Sequence, residues 1–175
     1  MTNIASMEPI IAPGAKVLIL GSMPGKQSLE TQQYYGNPRN HFWAILSELL
    51  DSDLTEVSYE EKCAFLKEKK IALWDVIATC EREGSLDSAI RREKMNDLTN
   101  LIKLFPTIQG IGLNGTKAFQ SFQTYLKKQP IPNIAYTKLP STSPVPGKNV
   151  KSFAEKVESW HVIKEYLTMT GEKQP

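Results

Sequence analysis

The sequence contains few residues of the kinds that hold a metal or crosslink a chain. It has only two cysteines, Cys63 and Cys80, among 175 residues. Two thiols cannot form a disulfide framework, an all-cysteine zinc site or an all-cysteine iron–sulfur site. The two histidines, His41 and His161, are far apart and have no partner at metal-ligand spacing. We therefore expect neither a metal nor another cofactor.

Long apolar runs are also missing. No run approaches the roughly 18 residues that cross a bilayer. The first residues, MTNIASMEPI, lack the basic start and apolar core of a signal peptide. These absences indicate a cytoplasmic protein with no membrane span. The 41% apolar and 23% charged residues are typical of a folded domain. We expect a monomer with a single domain over residues 1–175, whose ends at 1–13 and 170–175 are flexible.

Acidic residues are absent from a long stretch of the chain. Residues 98–154 contain seven lysines and no aspartate or glutamate, whereas residues 1–97 contain 11 basic and 15 acidic side chains. A run of solvated lysines can arise by chance. A surface that meets a polyanion is the other explanation, and nucleic acid is the simplest polyanion. We expect the acids of residues 1–97 to face mostly away from that partner.

Short apolar runs alternate with helical patterns along the chain. Four runs are predicted as strands: KVLILG (16–21), IALWDVIATC (71–80), IQGIGLN (108–114) and IAYTKL (134–139). Apolar spacing and S-x-x-E capping boxes predict helices over 40–50, 58–69, 97–105, 116–128 and 152–169. Strands that alternate with helices form a mostly parallel sheet covered on both faces. The predicted fold is α/β, a three-layer α/β/α sandwich with a central four-stranded, mostly parallel sheet.

Ligands of such folds bind beyond the carboxyl ends of the strands. The loops expected there are GSMPGKQS, CEREGSLD, NGTK and PSTSPVPGK, joined by the returning segment QQYYGNPRNHFW. GSMPGKQS is not a phosphate-binding P-loop, because three residues and not four separate Gly21 from Gly25. GIGLNG (110–115) begins inside a strand and lacks the acid expected about 20 residues later in a dinucleotide site. A serine hydrolase is disfavoured because Ser141 and Ser143 have no G-x-S-x-G context.

Aromatic residues are concentrated in the returning segment. Tyr34 and Tyr35 either stack on a base or close the edge of the core, and the two interpretations stay open. Trp43 lies on an apolar helical face, which favours the core. Asn40 precedes the same helix, so it either caps that helix or points its amide into a pocket.

Five motifs of the chain together resemble the uracil-DNA glycosylase superfamily. They are GSMPG-x-x-SL, YYGNPRNHFW, LWDVIATCEREGSLDSAI, LNGTKAF and LPSTSP, and they occur in the family's order over roughly residues 14–170. The most similar branch is hypoxanthine-DNA glycosylase, also called DNA-deoxyinosine glycosylase. The resemblance implies a four-stranded parallel sheet between helices. It also implies hydrolysis of the N-glycosidic bond of a damaged base that is flipped out of DNA, without a metal, to leave an abasic site.

The resemblance further implies roles for individual residues. Many superfamily members have a water-activating Asp or Asn in the first loop, but Met23 of GSMPG cannot orient water. The P-x-N-x-F-W pattern of the hypoxanthine branch places the catalytic asparagine at Asn40, and Asn37 falls outside that pattern. Loop position, and not the resemblance, predicts the residues that contact the base: Gly21, Ser22, Met23, Tyr34, Tyr35, Ser85 and Asn114.

The segment LPSTSP resembles the family's loop that presses into the duplex and fills the gap left by the flipped base. The residues predicted to contact DNA are Pro140, Ser141, Thr142, Ser143, Pro144, Lys148 and Lys151. Lys138, Lys148 and Lys151 should then lie on the same side of the molecule as Asn40. The predicted protein is a monofunctional glycosylase acting on deoxyinosine, and weakly on uracil, in DNA. Two alternatives are a uracil- or mismatch-specific glycosylase and a non-catalytic nucleic-acid or nucleotide-binding domain on the same fold.

Overall fold

A computed structural model describes residues 3–131, 134–144 and 150–169 of the chain. The strands in these ranges are β1 (Asn3–Ala5), β2 (Val17–Gly21), β3 (Ile71–Asp75), β4 (Ile77–Glu81), β5 (Arg91–Met95), β6 (Gly110–Asn114) and β7 (Ala135–Leu139). The helices are α1 (Lys26–Thr31), α2 (Phe42–Leu50), α3 (Tyr59–Glu68), α4 (Leu98–Leu104), α5 (Thr116–Lys128), α6 (Phe153–Trp160) and α7 (Val162–Thr168). A short 3₁₀ turn, Asp87–Ala89, precedes β5.

The central sheet consists of four parallel strands in the order β3-β2-β6-β7. β2 lies in its interior, and all five of its residues are buried. Val17 and Ile19 belong to one core cluster, whereas Leu18 and Leu20 belong to the other. Successive side chains of a strand point to opposite faces of the sheet, so an uninterrupted apolar run produces this two-sided burial.

Helices cover both faces of this sheet. The first core cluster includes Phe42 of α2, Leu66 of α3 and Trp160 of α6. The second includes Leu98 of α4 and Phe122 of α5. The predicted three-layer α/β/α fold with a four-stranded parallel sheet is thereby confirmed.

The prediction of one strand over residues 71–80 is wrong, because this run contributes to two sheets. The Val76 N–H donates to the Gly21 carbonyl oxygen (2.8 Å), and the Val76 carbonyl accepts from Asn96 N–H (2.8 Å). The chain therefore leaves the parallel sheet after Asp75, and β4 enters a second, antiparallel sheet of order β1-β4-β5. Both halves bury apolar side chains, so the sequence pattern does not reveal the break.

The amino-terminal segment pairs with both sheets. β1 pairs with β4, with Ile4 opposite Cys80, and Ile10 forms a bridge with Leu73 of β3. Part of the end predicted to be flexible, residues 1–13, therefore forms backbone pairs with both sheets, and its flexibility stays a prediction. The other predicted end, residues 170–175, lies outside the described ranges.

The helix predicted over 152–169 is divided into α6 and α7 at His161. The His161 N–H bonds back only three residues, to the Glu158 carbonyl oxygen (3.2 Å), which tightens the turn and redirects the chain. The beginning of α6 agrees with the prediction. Ser152 Oγ accepts from the Glu155 N–H (3.2 Å) in a complete capping box.

The glycines of GIGLNG allow helix α7 to approach strand β6 closely. A Cβ atom on Gly110 would overlap the ring of Tyr166, and one on Gly112 would lie 3.0 Å from Ile163 Cδ1. These contacts agree with packing, and not dinucleotide binding, as the reason for the motif.

Candidate active site

An open cavity of about 1020 Å³ lies at the carboxyl ends of the parallel strands. It collects loops that are far apart in sequence. The predicted site residues that line it are Gly21, Ser22, Met23, Tyr34, Tyr35, Asn40, Ser85, Asn114, Pro140, Ser141, Thr142, Ser143, Pro144 and Lys151. Lys138 also lines it, on the same side as Asn40. Lys148 lies outside the described residues.

Asn40 lies at the beginning of helix α2, on the wall of the cavity. Its Oδ1 accepts from the Phe42 N–H (2.9 Å), and its backbone N–H donates to the Asn37 carbonyl oxygen (2.9 Å). The N-cap of α2 is His41, so Asn40 is not the helix cap; its side chain bonds the N–H of the first helical residue and also lines the cavity. Because this hydrogen bond holds the amide, Asn40 presents a polar group in a defined orientation.

The paired tyrosines have different environments. Tyr34 is 5% exposed, and its hydroxyl donates to the Glu8 carbonyl oxygen (2.8 Å). Tyr35 stacks on Phe42 with ring centroids 3.9 Å apart, and its hydroxyl accepts from Asn114 Nδ2 (3.1 Å). Burial, followed by the charge of Asp75, raises the pKa of Tyr35, so the phenol stays protonated. Tyr34 mainly closes the core, whereas Tyr35 presents more polar surface to the cavity.

Trp43 is a core residue, as its helical position predicted. It is 5% exposed, and its indole Nε1 donates to the Tyr34 carbonyl oxygen (3.3 Å). Met23 is similarly enclosed, 7% exposed within a small apolar cluster that includes Ile77 and Ile90. Met23 therefore shapes one wall of the cavity.

The first loop is held by polar contacts with the segment that follows β4. Ser22 Oγ donates to Asp87 Oδ1 (2.7 Å), and Ser85 Oγ accepts from the Lys26 N–H (2.8 Å). Arg82, 2% exposed, donates through Nη2 to the Pro24 carbonyl oxygen (2.6 Å). These contacts fix the backbone of GSMPG, and they occupy Ser22 and Ser85 in internal hydrogen bonds.

The predicted duplex-facing loop is anchored by one of its own residues. Thr142 is 1% exposed, and its polar groups are used in hydrogen bonds inside the protein. Its N–H donates to Asn114 Oδ1 (3.0 Å), and its Oγ1 accepts from Asn114 Nδ2 (3.0 Å). Nearby, the indole of Trp160 donates to the Pro140 carbonyl oxygen (2.9 Å). Ser141 is exposed, while Ser143 and Pro144 are half-buried.

Asp75 was not among the predicted site residues, although it lines the cavity at the end of β3. It is 3% exposed, and its Oδ2 accepts from Ser6 Oγ (2.8 Å). A Cβ on Gly21 would lie 2.7 Å from Asp75 Oδ1, so glycine makes room for the carboxyl group. Burial, with a smaller contribution from Asp87, raises the pKa of Asp75 to about 7. The available sequence signal was a single acid inside an apolar run.

The charged groups of the cavity differ between its two sides. Asp75 and Asp87, both from the acidic first part of the chain, lie near β3 and the first loop. Lys138, Lys151 and Lys156 lie toward the loop after β7. The two aspartates are exceptions to the expectation that acids of residues 1–97 face away. Asp87 and Lys156, like Asp75, line the cavity without having been predicted as site residues.

In the part of the chain that the structure describes, no group of three or more His, Cys, Asp or Glu side chains could hold a metal ion. Among the described helices, none is both long and apolar enough to cross a membrane.

Comparison with known proteins agrees with these motifs and this geometry. Residues 8–164 match the model of the uracil DNA glycosylase superfamily. The hypoxanthine DNA glycosylase of Methanosarcina acetivorans is 41% identical over 109 residues, which cover 62% of this chain and 69% of that protein. Its namesake from Methanosarcina barkeri is 38% identical over 110 residues, covering 63% and 70%.

A solved structure shows the same fold. The solution NMR structure of a candidate uracil DNA glycosylase from Methanosarcina acetivorans has a TM-score of 0.81 with this chain at 32% identity. The superposition covers 96% of this chain and 100% of that one. Because the family model matches most of the chain and the fold agrees, this chain belongs to the uracil DNA glycosylase superfamily.

Proposed function

We propose that this protein is a hypoxanthine-DNA glycosylase, which hydrolyses the N-glycosidic bond of deoxyinosine in DNA and leaves an abasic site. The observation that carries the proposal is that one cavity unites Asn40, the first loop and the loop after β7. The names of the two Methanosarcina relatives support hypoxanthine as the base. Deoxyinosine pairs less stably than a normal base, so its extrusion from the duplex costs less.

Hydrolysis breaks the C1′–N9 bond, leaves its electron pair on the base and joins a water oxygen to C1′. Asn40 is our candidate for positioning this water. Its Oδ1 already accepts from the Phe42 N–H, and a second lone pair can accept a water O–H. An amide is not a useful base, so Asn40 contributes orientation and proximity. The water becomes acidic as its oxygen bonds to the electron-poor C1′, and its proton then passes to bulk water.

Stabilisation of the departing base then has to supply most of the rate enhancement. Hypoxanthine leaves with negative charge unless a proton or a hydrogen-bond donor meets it. The pKa of Asp75, about 7, keeps part of this carboxyl group protonated near neutral pH. A protonated carboxyl donates a hydrogen bond, as the Tyr35 hydroxyl also can. We place the base at this side of the cavity.

The DNA backbone would then run over the loops after β6 and β7. Lys138 and Lys151 line that side of the cavity, and both belong to the stretch without acids. Exposed Ser141 is a candidate to face the duplex. Buried Thr142 supports the loop from beneath. Counterion release from phosphates supplies affinity independent of sequence.

A strand-cleavage assay tests the proposed function. Duplex oligonucleotides with one deoxyinosine, one deoxyuridine or neither are incubated with the protein and then treated with alkali, which cuts at abasic sites. We expect cleavage at deoxyinosine that exceeds cleavage at deoxyuridine. Cleavage at deoxyuridine alone would instead establish a uracil-DNA glycosylase, as the name of the NMR neighbour suggests. Binding to all three duplexes without cleavage would establish a non-catalytic domain.

A further inference from the structure

Lys156 is a buried lysine with an unusual environment. It lies on α6, it is 3% exposed, and it lines the cavity. Its Nζ is 3.3 Å from Nδ1 of His41, the residue that follows Asn40. Among the described residues, no carboxylate forms an ion pair with Lys156. Its neighbour Glu155 is engaged in the capping box with Ser152.

This contact determines which nitrogen of His41 carries a hydrogen. A lysine ammonium can only donate, so Nδ1 of His41 must be the acceptor. Partial burial and then the charge of Lys156 lower the pKa of His41, which keeps the ring neutral. In a neutral imidazole with an accepting Nδ1, Nε2 carries the hydrogen. The pair therefore contains only donors, which are the Nε2–H of His41 and the remaining N–H groups of the Lys156 ammonium. Lys156 lines the cavity, whereas His41 is its half-buried neighbour outside the lining.

Buried charges are normally paired, because an ammonium group loses its hydration on burial. Burial indeed lowers the pKa of Lys156. A cluster that contains only donors and carries a positive charge is complementary to an anion. Phosphate and carboxylate oxygens are the acceptors that form strong charge-assisted hydrogen bonds with such a group.

The position of the pair indicates which anion it meets. The backbone N–H of His41 donates to the Thr142 carbonyl oxygen (2.9 Å), so the pair adjoins the loop after β7. Asp75 ends β3 at the opposite edge of the sheet. Three strand spacings separate those edges, roughly 14 Å. The proposed base site is on the Asp75 side of the cavity. Lys156 is on the other side, where Lys138 and Lys151 also line the cavity.

We propose that Lys156 and His41 together bind one phosphate group of the DNA strand, next to the nucleotide whose base is removed. This inference rests on the proposed function, since it takes DNA as the ligand. Binding that phosphate draws the backbone against the wall that carries Asn40. The anchored strand then holds C1′ near the positioned water.

The test combines protein variants with phosphates made neutral one at a time. The ligands are duplexes with a single 2′-fluoro-2′-deoxyinosine, which resists cleavage, and one methylphosphonate at each of the three linkages on either side. Binding constants are measured for the wild type and for Lys156→Met. On unmodified DNA, we expect the substitution to weaken binding about tenfold. The slope of log K against log salt should fall by about one unit.

The decisive result is the coupling between the two changes. At one linkage, neutralisation should weaken wild-type binding about tenfold and leave Lys156→Met almost unaffected. Equal losses for wild type and variant at every linkage would overturn the proposal. A second result would also overturn the proposal. In it, free hypoxanthine competes with DNA for the wild type but not for Lys156→Met, and the losses caused by each neutral phosphate are the same in both proteins. The ammonium would then contact the departing base and not a phosphate.

Further variants separate this role from a structural one. Lys164→Met, on α7 outside the cavity lining, is the matched control and should bind DNA like the wild type. Lys156→Arg keeps the charge and should retain part of the coupling. Replacing a buried unpaired ammonium by an apolar side chain should raise the melting temperature of Lys156→Met by about 2–4 °C.

If Lys156→Met folds poorly, His41→Asn answers the same question. Asparagine can place an acceptor where Nδ1 was and removes the donor at Nε2, so coupling to the same phosphate should weaken. Undiminished coupling in His41→Asn would remove His41 from the proposal. These binding measurements need no base excision. If the wild type cleaves at deoxyinosine but shows no coupling between Lys156 and any phosphate, only this inference fails. If the coupling is found but no duplex is cleaved, only the proposed function fails.

Discussion

Asn114 and Thr142 are joined by two hydrogen bonds that use both ends of one amide group. Asn114 Oδ1 accepts from the Thr142 N–H, and Asn114 Nδ2 donates to Thr142 Oγ1, each at 3.0 Å. Asn114 ends strand β6, whereas Thr142 lies in the loop after β7. A second hydrogen bond from Nδ2 reaches the Tyr35 hydroxyl (3.1 Å). One side chain therefore sets the relative position of two loops that surround the cavity.

Asn114→Ala should destabilise the fold and loosen the loop after β7. The substitution leaves the buried N–H of Thr142 without its acceptor, which costs about 1–3 kcal/mol. We expect that loss in urea unfolding, together with weaker binding to duplex DNA. Asn100→Ala, at an exposed position of α4, is the control and should unfold like the wild type. Unchanged stability in Asn114→Ala would show that the amide does not hold the loop.

Asn40→Ala should lower the single-turnover rate of base excision at least about 100-fold while DNA affinity stays close to that of the wild type. A misplaced nucleophile alone accounts for a loss of this size. Asn37→Ala is a closely matched control, because Asn37 Oδ1 also accepts from a backbone N–H two residues on, that of Arg39 (3.0 Å), and Asn37 lines the same cavity. Equal losses of the excision rate in the two variants would contradict the proposal that Asn40 positions the attacking water.

Asp75→Asn should reveal a pH-dependent cost of the native carboxyl group. The pKa of Asp75 is about 7 in the folded protein, against 3.8 for an ordinary aspartate. Well below pH 3.8 the carboxyl is protonated in both the folded and the unfolded chain. As the pH rises from 4 to 7, the unfolded chain ionises first, so the wild type loses stability relative to the variant. Above pH 7 the free energy of unfolding of the wild type is lower by at most roughly 4 kcal/mol than it would be without this pKa shift.

Urea unfolding at pH 5 and pH 8 measures this effect. The stability of Asp75→Asn relative to the wild type should be greater at pH 8 than at pH 5. Asp51→Asn, an exposed acid at the end of α2, serves as the control. If the difference in unfolding free energy between Asp75→Asn and the wild type is the same at both pH values, Asp75 does not titrate in this range.

Gly21→Ala should impair excision by displacing Asp75. The added methyl group would lie 2.7 Å from Asp75 Oδ1, so the carboxyl has to move away from the first loop. Gly25→Ala is the control for folding, since its Cβ would meet only Ser85 Oγ at 3.5 Å, an ordinary contact. We expect a lower single-turnover rate for Gly21→Ala than for Gly25→Ala. Identical rates would show that the position of Asp75 does not matter for the reaction.

Much of the site was predictable because its residues lie in loops after recognisable strands. Asn40 and Asn114 followed from motif and loop position, and both line the cavity. Asp75 was missed because the run over residues 71–80 is apolar on both sides of it, which hides the end of β3. Lys156 was missed because, on sequence alone, a lysine in a helix is typically solvated. Lys156 is buried because α6 packs against α2 and β7 in the folded protein.

The sequence by itself determined the strands with uninterrupted apolar runs, the beginnings of α3 and α6, and the segregation of charge along the chain. These features depend on side-chain periodicity and on contacts between residues close in sequence. The tertiary structure decided that Thr142 is buried, that Tyr34 and Tyr35 differ, and that Lys156 meets His41 across 115 positions. Burial and pKa depend on neighbours brought together by folding, and local sequence carries no record of those distances.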